Sequence, residues 1–211
     1  KGNGIMAITY PLALPTQTGI ASVSLRANDT VGVNMSPFSA RQQVYKYNSQ
    51  FWEADITLPR MKREDAEYWI TFLMKLNGAY GTFLLGDPAA STARGVATGS
   101  PVVNGASQTG YELITDGWTA DTTGIMKAGD YIQLGSGETA RLYKVLDDVD
   151  SDGSGNATLT IWPNLRSSPD DDATITVSNP KGVFRLSTNV TEFNVNEASI
   201  YGLSFGALEA L

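Results

Sequence analysis

Three aspartates at alternate positions are the residues of this sequence whose spacing comes closest to a chemical site. Asp148, Asp150 and Asp152 are followed directly by a glycine, which matches the first half of a calcium-binding loop. The second half does not match, because Leu159 stands at the twelfth position, where such a loop needs a bidentate glutamate. The residues that follow alternate as a strand. We therefore expect a solvated hairpin turn and no metal site, with these aspartates as the candidate ligands if a cation binds.

Two tryptophans are candidates for stacking on sugar rings, as aromatic side chains do in carbohydrate-binding β modules. Trp162 ends an alternating run beside a proline, which favours a position in the core or at its rim. Trp118 lies in a stretch rich in glycine and threonine and is the better glycan-binding candidate of the two, although core packing is the favoured interpretation for it as well. A run of three acids, Asp170 to Asp172, is expected to be a charged surface turn and not a pair of hydrolytic carboxylates.

The composition excludes several classes of enzyme. The chain of 211 residues has no cysteine and no histidine, so it cannot build a disulfide, a thiolate nucleophile, a Ser-His dyad or a His/Cys zinc site. Its glycine-rich runs lack the Lys-Ser/Thr of a phosphate-binding loop. We predict no catalytic residue and no cofactor.

The charge balance argues against a nucleic-acid-binding surface. Fifteen Lys and Arg face 22 Asp and Glu, and the one dense basic cluster, at residues 60–63, runs straight into three acids. The longest apolar stretch, residues 68–76, is much shorter than the roughly 20 residues that a membrane-spanning helix needs. We expect neither sequence-specific nucleic-acid binding nor a membrane span.

Alternation predicts where the strands lie. Residues 42–47 and 51–58 each alternate between apolar and polar side chains, and Asn48-Ser49 between them suggests an antiparallel hairpin. Residues 63–77 instead repeat apolar side chains at helical spacing, with acids in the first turn and Gly78 as the stop, which predicts a helix packed on a β-barrel. A strand over residues 81–85 follows.

The length and spacing of the strand-like runs change near residue 93 and again near residue 180. Between these points five short strand-like runs are separated by glycine turns, at residues 111–114, 131–134, 140–146, 157–162 and 173–178. Longer alternating runs then return at residues 183–186, 192–195 and 199–205. We predict a mainly β protein: a discontinuous barrel or sandwich domain of residues 1–92 and 180–211 with one helix, carrying a small inserted barrel of residues 93–179.

Seven short motifs occur in a fixed order from residue 42 onward: FWEADI at 51–56, AYGTFLL at 79–85, KAGDYI at 127–132, LYKV at 142–145, IWPNLR at 161–166, GVFRL at 182–186 and YGLSF at 201–205. In this order the chain resembles the distal tail proteins of siphophages, in particular the type whose tube-like barrel carries an inserted oligonucleotide/oligosaccharide-binding (OB) barrel.

The resemblance implies a structural protein of the virion. The discontinuous domain would form a hexameric ring between the tail tube protein and the tip hub and would line the DNA conduit, with the inserted barrel projecting outward. The resemblance implies no catalytic residues. Two alternatives stay open: a carbohydrate-binding or fibre-anchoring module of the tail tip, and another minor tail or tube protein.

Overall fold

The computed structural model describes residues 8–195 and 200–211. In these residues the chain is mainly β with one α-helix, which confirms the predicted fold class. The elements are, in chain order, β1 Ser22–Met35, β2 Gln42–Thr57, β3 Met61–Lys62, α1 Arg63–Lys75, β4 Thr82–Leu85, β5 Gly99–Val103, β6 Glu112–Trp118, β7 Tyr131–Leu134, β8 Arg141–Val145, β9 Ala157–Trp162, β10 Ile175–Thr176, β11 Gly182–Leu186, β12 Phe193–Val195 and β13 Ile200–Glu209.

Seven of these strands form one antiparallel sheet around β13. The order along the sheet is β1-β2-β13-β11-β4, and β12 and β3 also pair with β13. In the second half of β2, Trp52, Ala54 and Ile56 are buried, whereas Asp55 and Thr57 are exposed. This alternation confirms the half-buried strand predicted for residues 51–58.

The predicted hairpin between residues 42–47 and 51–58 is wrong. Both segments belong to the single strand β2, and the true hairpin partner of β2 is β1, a strand that was not predicted. Asn48-Ser49 lies in a β-bulge, because the register passes from Asp29 opposite Gln50 to Val31 opposite Lys46. Residues with turn preferences here interrupt the ladder without reversing the chain.

The helix covers the inner face of this sheet. Its buried residues include Ala66, Trp69, Ile70 and Leu73, which confirms the predicted apolar face. The aromatic rings continue this contact, since Phe72 packs edge-on against Phe83 of β4 with centroids 5.7 Å apart, and Trp69 lies 6.3 Å from Phe205 of β13. The helix stops because the chain turns left-handed, with φ of +50° at Asn77 and +67° at Gly78.

The six strands between residues 99 and 176 form a nearly closed barrel with the order β10-β7-β8-β9-β6-β5. Closure comes from the segment before β10, where the Val103 N–H donates to the Ala173 carbonyl and the Asp172 N–H to the Val103 carbonyl, both at 3.0 Å. The sequence predicted five strands and missed β5, whose glycine and proline are unfavourable for an ordinary strand. The assignments of residues 93–179 as a separate domain and of the barrel as OB-like stay predictions.

Candidate functional site

The three candidate calcium ligands are occupied by hydrogen bonds within the protein. The pKa of Asp148 is lowered, first by the Ala128 N–H that it accepts and then by the Lys127 ammonium, and the pKa of Asp152 is lowered chiefly by the Asn156 N–H. No group of three or more acidic side chains placed to hold a metal ion occurs in the described residues. The carboxylates accept hydrogen bonds from Ala128 N (2.8 Å) and Lys127 Nζ (3.1 Å) at Asp148, Gly124 N (2.6 Å) at Asp150, and Ser154 N and Asn156 N (both 2.8 Å) at Asp152.

Leu159, at the twelfth position of the incomplete loop, is fully buried in β9. This position therefore contributes to the barrel core. The turn built by the three aspartates connects and orders the strands of the barrel by satisfying backbone N–H groups.

The glycan candidate Trp118 is inside the barrel, in the core position expected ahead of glycan stacking. Its side chain is 4% exposed, and its indole Nε1 donates to the Thr115 hydroxyl at 2.8 Å. Backbone segments approach closely here: a Cβ on the neighbouring Gly117 would lie 2.4 Å from the Ser100 carbonyl oxygen, and one on the distant Gly155 would lie 2.3 Å from the Trp118 carbonyl oxygen. The glycine-rich sequence that suggested an exposed loop is thus the packing requirement of a buried tryptophan.

The remaining sequence candidates lie apart from one another. Asp170 to Asp172 are exposed, and Asp171 accepts the Gly105 N–H at 2.7 Å, as expected for a surface turn. Trp162 is half-buried and packs edge-on against Trp52, with ring centroids 4.5 Å apart. The acidic turn and the tryptophan do not form a common cleft.

A buried ion pair joins the barrel to the seven-stranded sheet. Arg166, just after β9, contacts Glu209 at the end of β13 through Nη2–Oε2 at 2.6 Å and Nε–Oε1 at 3.3 Å. Glu209 also accepts the Trp52 N–H at 3.0 Å, and the indole of Trp52 donates to the Leu142 carbonyl of β8 at 3.0 Å. Glu209 was not among the residues predicted from the sequence, although it continues the core-facing alternation of Leu203, Phe205 and Ala207 and is buried.

Within residues 8–195 and 200–211, the largest group of exposed apolar side chains lies on a two-stranded extension that we call the arm, residues 31–47. Its strands pair only with each other: among the described residues β1 has no partner besides β2, and the pairing of β2 with β13 begins at Glu53. The apolar side chains that the arm exposes are Val31, Val33, Met35, Phe38, Val44, Tyr45 and Tyr47.

Both faces of the arm carry these side chains. Cross-strand pairing places Val33 opposite Val44 on one face, whereas Tyr45 lies opposite Gly32 on the other. The charged residues of the arm are Arg41 and Lys46, without any carboxylate. Aromatic residues, Met and Arg are the types enriched in protein interfaces, and a lone two-stranded ribbon is marginally stable in water. The arm has the composition and geometry of a segment that becomes buried on assembly.

No helix in the described part of the chain is long and apolar enough to span a membrane. No protein-family model matches this sequence, and no curated protein matches it.

Proposed function

We propose that this chain is a non-enzymatic structural subunit of a long-tailed phage tail tip, of the distal tail protein type. Six copies form a closed ring between the tail tube protein and the tip hub, and the ring surrounds the DNA conduit. The proposed site of action is the virion. The number of subunits and the position in the tail rest on the motif order described above.

The arm is the observation that carries this proposal. It exposes apolar side chains on both faces, and neither of its strand edges pairs with any other part of the chain that the structure describes. A monomeric protein usually shortens, covers or charges such edges, because an open strand edge invites pairing with another chain. An open arm of this length therefore supports a role in which it stays in permanent contact with neighbouring subunits.

The position of the arm favours a ring. It projects from one end of the sheet, where β1 and β2 continue beyond β13. A contact between such an extension and a different surface of the next copy is heterologous, and heterologous contacts build a ring when their rotation closes. In this proposal the barrel lies outside the contacts that close the ring.

The test is to shorten the arm in tails. Residues 31–47 are replaced by Asn-Gly, which favours a two-residue hairpin turn. The altered gene is supplied to a phage that lacks its own copy. We expect the variant to fold, by circular dichroism and tryptophan fluorescence, and to be absent from tails. Cryo-EM of tails with the unaltered chain should show one six-membered ring at the junction of tube and tip.

Met74 provides the matched control, because it is an exposed apolar residue on α1, outside the arm. Met74→Ser should enter tails at the unaltered level. Repeated rings along the whole tube would instead indicate a tube protein. Absence of the unaltered chain from virions, or normal tails with the shortened arm, would contradict the proposal.

A further inference from the structure

The tip of the arm presents one aromatic side chain to solvent. Phe38 is 99% exposed. The reversal that carries it is ordered by the Ser36 N–H, which donates to the Arg41 carbonyl, and by the Ala40 N–H, which donates to the Ser36 carbonyl, both at 2.9 Å. Neither Phe38 nor the side chains of Arg41 and Lys46 have a partner in the described residues. The tip thus offers an apolar anchor close to one unpaired cation, Arg41, whereas Lys46 lies at the base of the arm opposite Val31.

A groove elsewhere on the same chain has the complementary properties. It lies between β13 and residues 188–192, because β11 pairs with β13 only up to Leu186 opposite Ala207 and the chain then leaves the strand. The cavity there measures about 540 Å³ and is lined by the buried side chains of Ile56, Leu73 and Leu186. Val190, 74% exposed, forms part of its wall. A groove with an apolar floor and an exposed apolar wall is suited to receive an aromatic side chain.

The charge of the groove is opposite to that of the arm. Its charged lining residues are Asp55 and Glu192, and no Lys or Arg is among them. Asp55 is already paired with Arg26, whereas Glu192 is exposed and has no hydrogen-bond or ion-pair partner in the described residues. An arginine arriving with the arm therefore finds an unpaired carboxylate at the rim.

We propose that this groove receives the arm tip of a neighbouring copy, with Phe38 in the cavity and Arg41 paired with Glu192. The inference rests on the proposed function and deepens it by naming the surface that the arm contacts. The occupant is a second copy because every chain carries both the cationic, apolar tip and the acidic, apolar groove. Tip and groove are different surfaces, so the contact is heterologous, as a ring requires.

The chain has no cysteine, so introduced cysteines report this contact without a background. The variant Ser39→Cys/Val190→Cys keeps Phe38 and places one thiol at the exposed tip of the arm and one at the wall of the groove. It is incorporated into tails and treated with a short bis-maleimide. We expect a ladder of cross-linked species on denaturing gels that ends at six subunits. Either single variant alone can give dimers at most, because each chain then has one thiol, and these variants are the controls.

Charge reversal tests the ion pair separately. Arg41→Glu and Glu192→Arg should each lower incorporation into tails at least tenfold, and the double variant Arg41→Glu/Glu192→Arg should recover most of it. Glu138→Arg, which reverses an exposed carboxylate on the barrel, should have no effect. Circular dichroism of each variant checks that it folds.

The outcomes separate the two proposals. A six-membered ring seen by cryo-EM without the cross-linked ladder, or a double reversal as defective as the single ones while all three fold, would overturn the groove assignment and leave the proposed function standing. Absence of the unaltered chain from tails would reject both.

Discussion

The ion pair between Arg166 and Glu209 yields a prediction with a defined magnitude. The side chain of Glu209 is 2% exposed and that of Arg166 is 12% exposed, so removing either partner leaves a charge in an environment with little water. Breaking a buried pair in this way typically costs about 3–5 kcal/mol. We expect Arg166→Met and Glu209→Gln each to lower the free energy of unfolding by about that amount, or the midpoint temperature by roughly 6–20 °C for a chain of this size.

The double variant Arg166→Met/Glu209→Gln distinguishes pairing from packing. The side-chain amide oxygen of the glutamine still accepts the hydrogen bond from the backbone N–H of Trp52, so this donor keeps a partner. The double variant also leaves no unpaired charge. We therefore expect the double variant to be more stable than Arg166→Met, with a coupling energy of at least about 2 kcal/mol.

Urea denaturation followed by tryptophan fluorescence measures these differences, and Trp52 reports directly because it contacts Glu209. The control is Arg63→Met, which removes an exposed ion pair with Glu67 on the helix and should cost about 0.3–0.5 kcal/mol. Losses below about 1 kcal/mol for both buried variants, or a coupling energy near zero, would refute the reasoning.

Three further predictions concern the barrel. The folded-state pKa values of Asp148 and Asp152 lie below the ordinary value of 3.8. The stability that these carboxylates contribute is therefore complete above the unfolded-state pKa and is lost as pH falls through the folded-state values. The double variant Asp148→Asn/Asp152→Asn should flatten the loss of stability that urea denaturation measures between about pH 5 and 2. Calorimetry should show no stoichiometric calcium binding, whereas a micromolar signal abolished by Asp150→Ala would contradict us. Trp118→Ala should cost about 3–5 kcal/mol in the same denaturation assay, since the ring fills the barrel core.

Sequence periodicity was sufficient for the elements whose burial follows a simple period. The helix and the second half of β2 each bury one face, so the positions of Trp69 and Trp52 could be predicted from spacing alone. The bulge at Asn48-Ser49 could not, because the same residues favour a turn or a ladder irregularity and only the cross-strand partner decides between them.

The candidate site was harder to predict, because its features depend on contacts between distant segments. The glycines near Trp118 in the sequence left glycan stacking open beside core packing, whereas Gly155, far along the chain, lies directly against the Trp118 backbone and belongs to its buried environment. The alternation of residues 42–47 in the arm was visible in the sequence, but their exposure was not. They are exposed because β2 pairs there only with β1 in the described residues, and no further strand or helix covers either face. A pattern that alternates predicts two faces and does not say whether either is covered.

One strand, β2, connects the arm, the barrel and the groove. Its residues 42–47 form half of the arm, Gln50 accepts the Asn164 N–H at 2.8 Å, and Trp52 donates to Leu142, so the same strand contacts the barrel within three residues of the bulge. Ile56, further on, lines the groove. Because both barrel contacts are hydrogen bonds and Trp52 is buried, the docking of the arm tip that we propose would fix the direction of the barrel together with that of the sheet. A flexible linker between sheet and barrel would leave that direction undetermined.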